Sequence, residues 1–194
     1  MARNTREGME RTRQALIGAA RRLFAERGFS DTATPDIVAA AGVTRGALYH
    51  HFDDKKALFE AVLAAEAEAV AAAIEAQSDG ATSARQALLS GAKAYFDAMR
   101  EPGRTRLLLL DGPAVLGAAR VSKIDAEQAE GRLREGLKAH LEEAGCPLEG
   151  LDALTDLLSA AFDRAALAVE AGGSRGEYER AIATLVDGLA QAQP

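Results

Sequence analysis

Apolar residues recur every three to four positions along most of the chain, and glycine, proline or short polar breaks separate the stretches. That period marks helices with one buried stripe. Over residues 10–27 the stripe is Leu16, Ile17, Ala20, Leu23 and Phe24, with Arg13, Arg21, Arg22 and Glu26 off its centre. Gly28 offers a left-handed stop, and Phe29 can fold back on the last turn. After a loop at 30–33, Thr34-Pro35-Asp36 reads as a helix start, with threonine as N-cap, proline at the first helical position and an acid in the first turn. This short helix ends at Gly42. Thr44 caps a second short helix running to Phe52, and Asp53 or Asp54 caps a longer one through Leu58, Val62, Ala65, Ala69 and Ala73 to about Gln77.

Beyond the break at Ser78-Asp79-Gly80, Leu88, Ala92, Tyr95 and Met99 set a helix over 83–100, closed by Glu101-Pro102-Gly103. Four leucines, 107–110, predict a short segment buried all round. Asp111-Gly112-Pro113 breaks it, with a restart near Ala114. Residues 121–144 are polar on much of their surface and close at Gly145-Cys146-Pro147. Leu151, Leu154, Leu158, Ala161, Phe162, Ala165 and Val169 stripe a helix over 151–171. Tyr178, Ile182, Leu185, Val186 and Leu189 stripe the last, over 176–192.

Composition supports the same fold class. There are 44 alanines, while aromatics make up 5% of the chain. Alanine is the best helix former, and the β-branched and aromatic residues that favour strands are scarce. An all-α protein follows. At 194 residues and 48% hydrophobic, it has enough apolar side chain for a core without disulfide or metal staples.

Charge changes the picture only when it is divided. The net charge of -6 argues against a nucleic-acid partner if it is spread evenly. It is not. Residues 1–56 carry ten basic and seven acidic groups, a balance of +3, and residues 57–194 carry -9. A basic head on an acidic body is what contact with nucleic acid at one end would produce.

The head contains the one constellation with chemistry. Two short helices joined by a Gly42-Val43-Thr44 turn have helix-turn-helix geometry. Leu48 and Phe52, four residues apart, face inward together. The opposite face is Gly46, Ala47 and His50, with Arg45, Tyr49 and His51 on its flanks. Small residues there let the helix backbone approach base edges. Arg45 can reach a base, arginine to guanine being the commonest specific contact. Tyr49, Lys55 and Lys56 can reach phosphates. His50 and His51 point about 100° apart on a helix and have no third ligand nearby, so no metal is implied.

The run Thr34-Pro35-Asp36-Ile37-Val38-Ala39-Ala40-Ala41-Gly42-Val43-Thr44-Arg45-Gly46-Ala47-Leu48-Tyr49-His50-His51-Phe52, followed by Lys55, resembles the DNA-binding signature of the tetracycline-repressor (TetR) family. Arg13, Ala20, Leu23-Phe24 and Gly28-Phe29 are similar to that family's first helix, so the likeness covers roughly residues 10–60. Val38 stands where the family more often has alanine, a packing position. The resemblance implies a three-helix DNA-binding domain (1–56), a helical effector-binding and dimerisation domain (57–194) and a homodimer. Carried over by position, DNA contacts fall on Thr34, Pro35, Thr44, Arg45, Gly46, Ala47, Tyr49, His50, His51 and Lys55. Leu107–Leu110 with the following Asp111-Gly112-Pro113-Ala114-Val115-Leu116-Gly117 resembles one common subgroup.

The last two helices have stripes broad enough to pair across a two-fold axis. Their interface residues are expected to be Leu151, Leu154, Leu158, Phe162, Tyr178, Ile182, Leu185, Val186 and Leu189. A dimer presents two recognition helices to half-sites about 34–36 Å apart, so the expected operator is palindromic double-stranded DNA. Tyr95, Phe96, Met99, Leu107, Leu110, Leu116 and Phe162 are candidate lining for a small apolar or amphipathic effector. Asp163 and Arg164 read as a solvated pair, and His140 as a solvated histidine.

Other classes have less support. No Gly-x-Ser-x-Gly, P-loop or dinucleotide glycine pattern occurs, and the three histidines lack catalytic partners, so an enzyme is not expected and no cofactor is implied. Cys146 is alone. No apolar run reaches the ~18 residues of a membrane span, and no apolar core follows the basic residues at the start, so the expected location is the cytoplasm. The alternative is a DNA-binding architectural protein or constitutive repressor without an effector, which would share residues 1–56 and lack a cavity.

Overall fold

The computed structural model describes residues 2–78, 80–125 and 131–191, and among them it contains helices and no strand. In order these are α1 (Ala2–Arg27), α2 (Thr34–Ala41), α3 (Arg45–His51), α4 (Lys55–Ser78), α5 (Ala84–Met99) and α6 (Arg104–Arg106). A π-helical turn (Leu107–Asp111) follows, then α7 (Gly112–Leu116), α8 (Ala118–Asp125), α9 (Gly131–Glu143), α10 (Leu151–Glu170) and α11 (Arg175–Leu189). None of them is long and apolar enough to cross a membrane. The helices form two compact units. One is Met1–Glu66 with Pro102–Val121, the other Ala67–Glu101 with Ser122–Pro194. The boundary read from sequence at residue 56 falls at the start of α4, whereas the compact units part within that helix.

The first unit is built on the α1 stripe. Leu16, Ala20 and Phe24 are fully buried, with Ile37 of α2, Leu48 of α3 and Leu58, Phe59 and Val62 of α4. Phe24, Phe29 and Phe59 form an aromatic cluster with centroids 5.0–5.7 Å apart, so Phe29 does return to the end of α1. Gly28, at φ 82, ends α1 in the left-handed region. A Cβ there would also collide with the Arg106 guanidinium.

Residues 102–121 belong to this unit through ion pairs as well as apolar contacts. Glu66 of α4 accepts from Arg21 of α1 at 3.2 Å and from Arg104 of α6 at 2.9 Å, and all three side chains are at most 19% exposed. Burial raises the Glu66 pKa, but the two guanidinium hydrogen bonds outweigh it and hold the carboxyl below the ordinary glutamate value. Arg106 pairs with Asp111 at 3.3 Å, and Arg120 with Glu60. The four leucines depart from the sequence reading. Leu107 is fully buried, Leu108 and Leu109 are half-buried, and Leu110 is 51% exposed. One turn of helix cannot bury every side of itself against a single surface, so only one edge goes in. The chain also does not break at Asp111-Gly112-Pro113. It passes from the π turn directly into α7 and stops at Gly117.

The second unit packs α5, α9, α10 and α11 together. Its main core is Leu88, Ala92, Phe96, Leu158, Phe162, Ala165, Ile182 and Val186, and a smaller one joins Leu137, Leu141 and Leu151. The polar stretch 121–144 is divided between α8 and α9, and its residues 126–130 lie outside the described residues, as does residue 192, the end of the last predicted helix. His140 is buried, not solvated. With Leu137 and Leu141 it forms the packed face of α9, and its Nε2 lies 3.2 Å from the Val186 carbonyl oxygen.

Candidate nucleic-acid interface

The α2–turn–α3 element is shaped by local chemistry at each joint. Gly42 adopts φ 65, and its amide and that of Val43 close on the α2 carbonyls of Ala39 and Val38. That left-handed conformation is open to glycine at little cost. Thr44 caps α3, its Oγ1 accepting from the Ala47 amide at 3.2 Å. Asp54, not Asp53, caps α4, accepting from the Ala57 amide at 2.7 Å. The expected threonine cap on α2 is corrected. Ala33 is the N-cap and has no side-chain cap bond, while Thr34 is already helical. The proline at the second position excludes one free N–H, and the Ala33 carbonyl accepts from the Asp36 and Ile37 amides.

Leu48 and Phe52 are buried, so the α3 register is as its spacing predicts. Arg45, Gly46, Tyr49 and His50 are exposed, with Ala47 and His51 half-buried. Arg45 stands 5.5 Å from the Tyr49 ring centroid, a cation–π distance that orders both side chains on one flank. A Cβ at Gly46 would meet only Thr44 Oγ1, at 3.9 Å. Nothing inside the protein requires glycine there. Thr44 and Pro35 are exposed beside this face, and Thr34 is half-buried.

Lys55 stands apart from these residues. Its Nζ donates to the carbonyls of Phe29 at 2.8 Å and Thr32 at 3.0 Å and lies 4.2 Å above the Phe29 ring. Thr32 is fully buried, its hydroxyl bridging to the Leu23 carbonyl at 3.2 Å and the Gly28 carbonyl at 2.7 Å. Spacing alone does not reveal this arrangement, because it depends on the α1–α2 loop folding beneath the start of α4. Arg13, 5.7 Å from the Phe52 ring, also reaches α3 from α1. Among the described residues, no cluster of three or more His, Cys, Asp or Glu side chains could hold a metal.

The candidate effector residues fall in both compact units. Leu107, Leu110 and Leu116 belong to the first, and Tyr95, Phe96, Met99 and Phe162 to the second. In the second unit, Tyr95, Phe96 and Phe162 contact one another at centroid distances of 5.6–6.2 Å. Asp163 is half-buried rather than a solvated surface residue. The Tyr95 hydroxyl donates to it at 2.8 Å, while Arg164 is exposed. Burial, and then the Asp163 charge, raise the Tyr95 pKa. Burial also raises Asp163, against the lowering effect of the tyrosine hydrogen bond. Burial, followed by repulsion from Asp163, pushes Asp125 up to about 6. The sequence holds no clear signal for this carboxylate pair, since Asp125 and Asp163 lie on different helices.

Most of the expected interface residues on α10 and α11 point inward. Leu151, Leu158, Phe162, Ile182 and Val186 are buried within their own unit. Leu154, Tyr178 and Leu189 are half-buried against its two cores. Leu185 is 50% exposed, and Leu157, not singled out by the stripe, is 69% exposed. Leu185 is thus the member of its stripe that stays exposed, and Leu157 stands beside the buried Leu158.

Two family descriptions match the chain. "Bacterial regulatory proteins, tetR family" covers residues 16–62, and "Tetracyclin repressor-like, C-terminal domain" covers residues 85–192. The transcriptional regulator AcrR of Shigella flexneri is 48% identical over 62 residues, which is 32% of this chain and 29% of that protein. The match therefore spans less than a third of that regulator. The transposon Tn10 TetC protein of Escherichia coli is 28% identical over 80% of this chain and 79% of its own. The crystal structure of a TetR-family transcriptional regulator from Pectobacterium atrosepticum superposes with a TM-score of 0.68 at 31% identity, covering 96% of this chain and 94% of that one. With both descriptions matched and this solved relative aligned almost end to end, the chain belongs to the tetR family of bacterial regulatory proteins.

Proposed function

We propose that this protein is a sequence-specific DNA-binding transcriptional regulator, a repressor that acts as a homodimer in the cytoplasm and leaves a palindromic operator when a small apolar or amphipathic effector binds. The observation that carries this reading is the outer face of α3. Arg45, Gly46, Tyr49 and His50 are exposed there on a helix held from behind by Leu48 and Phe52. An exposed tyrosine, an arginine ordered beside it and a glycine that packing does not require suit a surface that closes on a base-pair groove. Thr34, Pro35, Thr44, Ala47 and His51 flank that face and are assigned to contacts with the duplex. This assignment leaves residues 1–56 as the reading domain and residues 57–194 as the effector and dimer domain.

The exposed Leu157 and Leu185 support pairing through α10 and α11, because burying large apolar side chains against a partner lowers the free energy. Within the second unit, the Tyr95–Phe96–Phe162 cluster with Asp163 supports an effector having an apolar body and a hydrogen-bonding group. An effector that binds the non-operator geometry of the dimer more tightly would lower DNA affinity by that difference in binding.

Selection of duplexes from a random pool, followed by footprinting, tests the reading. The expected result is protection of a palindrome with half-site centres about 34–36 Å apart. Uniform coating of DNA without sequence preference would overturn it in favour of an architectural protein.

A further inference from the structure

We propose that the ring of Tyr49 is a positioning group for Arg45, holding its guanidinium toward a base edge and so setting sequence preference at a base pair that the tyrosine itself does not read. The inference deepens the DNA-binding reading above and rests on it. The two residues stand four apart on α3, which makes them neighbours on one flank of the helix. Helical side chains lean toward the N-terminus, so the Tyr49 ring covers the turn that begins with Arg45. The guanidinium carbon lies over that ring, 5.5 Å from its centroid. That is within the range of a cation–π attraction.

The core of the first unit does not use this ring. Tyr49 is 45% exposed and takes no part in the Phe24–Phe29–Phe59 cluster. Arg45 is exposed as well, and it is held differently from its neighbours in the unit. Arg21, Arg27, Arg104 and Arg106 each pair with a carboxylate, which occupies N–H donors. Among the described residues, no oxygen accepts from Arg45. The ring attracts the charge and supplies no acceptor atom. The arginine is thereby ordered while its planar fork of donors is left for the O6 and N7 of a guanine.

The ring can hold the arginine because its own support is rigid. Leu48 and Phe52 are buried beneath α3, and Thr44 Oγ1 caps its first turn. Tyrosine has fewer side-chain torsions than arginine, so it is the stiffer of the pair. Immobilising a long side chain opposes binding, and one already held in place gives up less freedom when it meets the base. Tyr49 therefore acts on readout through Arg45, separately from any contact its hydroxyl makes with the DNA backbone.

The test separates the ring from the hydroxyl. One probe is a duplex selected from a random pool by the wild-type protein. The other is that duplex changed at the base pair where the Arg45→Ala selection profile loses its preference. The readout is the ratio of the two affinities, which does not depend on the fraction of protein that is folded. Tyr49→Leu, which removes the ring, is expected to lower the ratio about two- to five-fold, the equivalent of one exposed cation–π contact. Tyr49→Phe, which keeps the ring, is expected to change both affinities by one factor and to keep the wild-type ratio. In an Arg45→Ala background, Tyr49→Leu should leave the ratio where Arg45→Ala alone puts it.

A wild-type ratio in Tyr49→Leu would overturn the proposal, even if both affinities fell together, because the ring would then not act on readout. An equal loss of ratio in Tyr49→Phe and Tyr49→Leu would assign the effect to the hydroxyl and overturn it too. So would a loss in Tyr49→Leu that persists without Arg45. An Arg45→Ala profile identical to wild type would sink this inference alone and leave DNA binding standing. If the wild-type protein selects no duplex at all, the DNA-binding reading itself falls, and this one with it.

Discussion

Removing the Glu66 carboxylate should destabilise the first compact unit more than any single surface change. Glu66 Oε2 receives hydrogen bonds from two cations, Arg21 at 3.2 Å and Arg104 at 2.9 Å, and its side chain is 10% exposed. Truncation to alanine takes away the only formal negative charge in that triad and leaves two guanidiniums close together in a poorly hydrated place. Breaking a buried pair in this way costs about 3–5 kcal/mol. Arg21 and Arg104 retain 19% and 12% exposure, so partial hydration places the expected loss near the lower limit, about 3 kcal/mol. For a chain of this size that corresponds to a fall in melting temperature of roughly 6–12 °C.

The pH dependence has a definite sign. The folded-state pKa of Glu66 lies below its ordinary value, because the two arginine hydrogen bonds outweigh burial. Its stabilisation is therefore fully present above the unfolded glutamate pKa of about 4.3 and is lost as pH falls below it. Denaturant melts of wild type and Glu66→Ala at pH 7 and at about pH 3 measure both effects. The gap between them should be large at pH 7 and should shrink on acidification. A double-mutant cycle with Arg104→Met should return a coupling of at least about 1 kcal/mol. A Glu66→Ala variant within about 0.5 kcal/mol of wild type at pH 7 would refute the reasoning, as would a gap that does not change with pH.

The α3 surface and the exposed leucines allow three further checks. Tyr49→Ala removes an exposed side chain 45% open to solvent, so it should leave the melting temperature nearly unchanged while lowering affinity for the selected duplex several-fold in a binding titration. Arg45→Ala should relax sequence preference at one operator position by about 1–3 kcal/mol, read from the variant's own selected-site profile. An unchanged profile would remove Arg45 from base readout. Leu185→Glu places a charge on the exposed face of α11, and light scattering should show a monomer where wild type is a dimer. A dimer that persists would count against pairing through that face.

The helices were legible from the order of residues because their signals are local. The α1 stripe, the left-handed stops at Gly28 and Gly42, the Thr44 cap and the Leu48–Phe52 pair depend on neighbours within one or two turns. The outward face of α3 follows from those inward residues, so Gly46 and His50 could be placed there without coordinates, whereas Ala47, placed with them, is half-buried and the flanking Arg45 and Tyr49 are exposed. Glu66 left a faint trace, an acid at the stripe spacing Leu58, Val62, Glu66, where an apolar side chain would be expected. What it pairs with left none, because Arg21 and Arg104 stand 45 and 38 residues away.

The tertiary structure decided the partners. A broad apolar stripe on α10 and α11 is compatible with an internal core or a subunit interface, and packing assigned Leu158, Phe162, Ile182 and Val186 to the core. Four consecutive leucines looked fully buried, but a single turn against one surface buries only Leu107 completely. Lys55, read from the sequence as a DNA contact, also donates to two loop carbonyls, at 2.8 and 3.0 Å, which its place in the chain does not reveal. Periodicity specifies which side of a helix avoids water. It carries no information about which distant surface meets that side, and that meeting determines whether a charge is free to act or held in place.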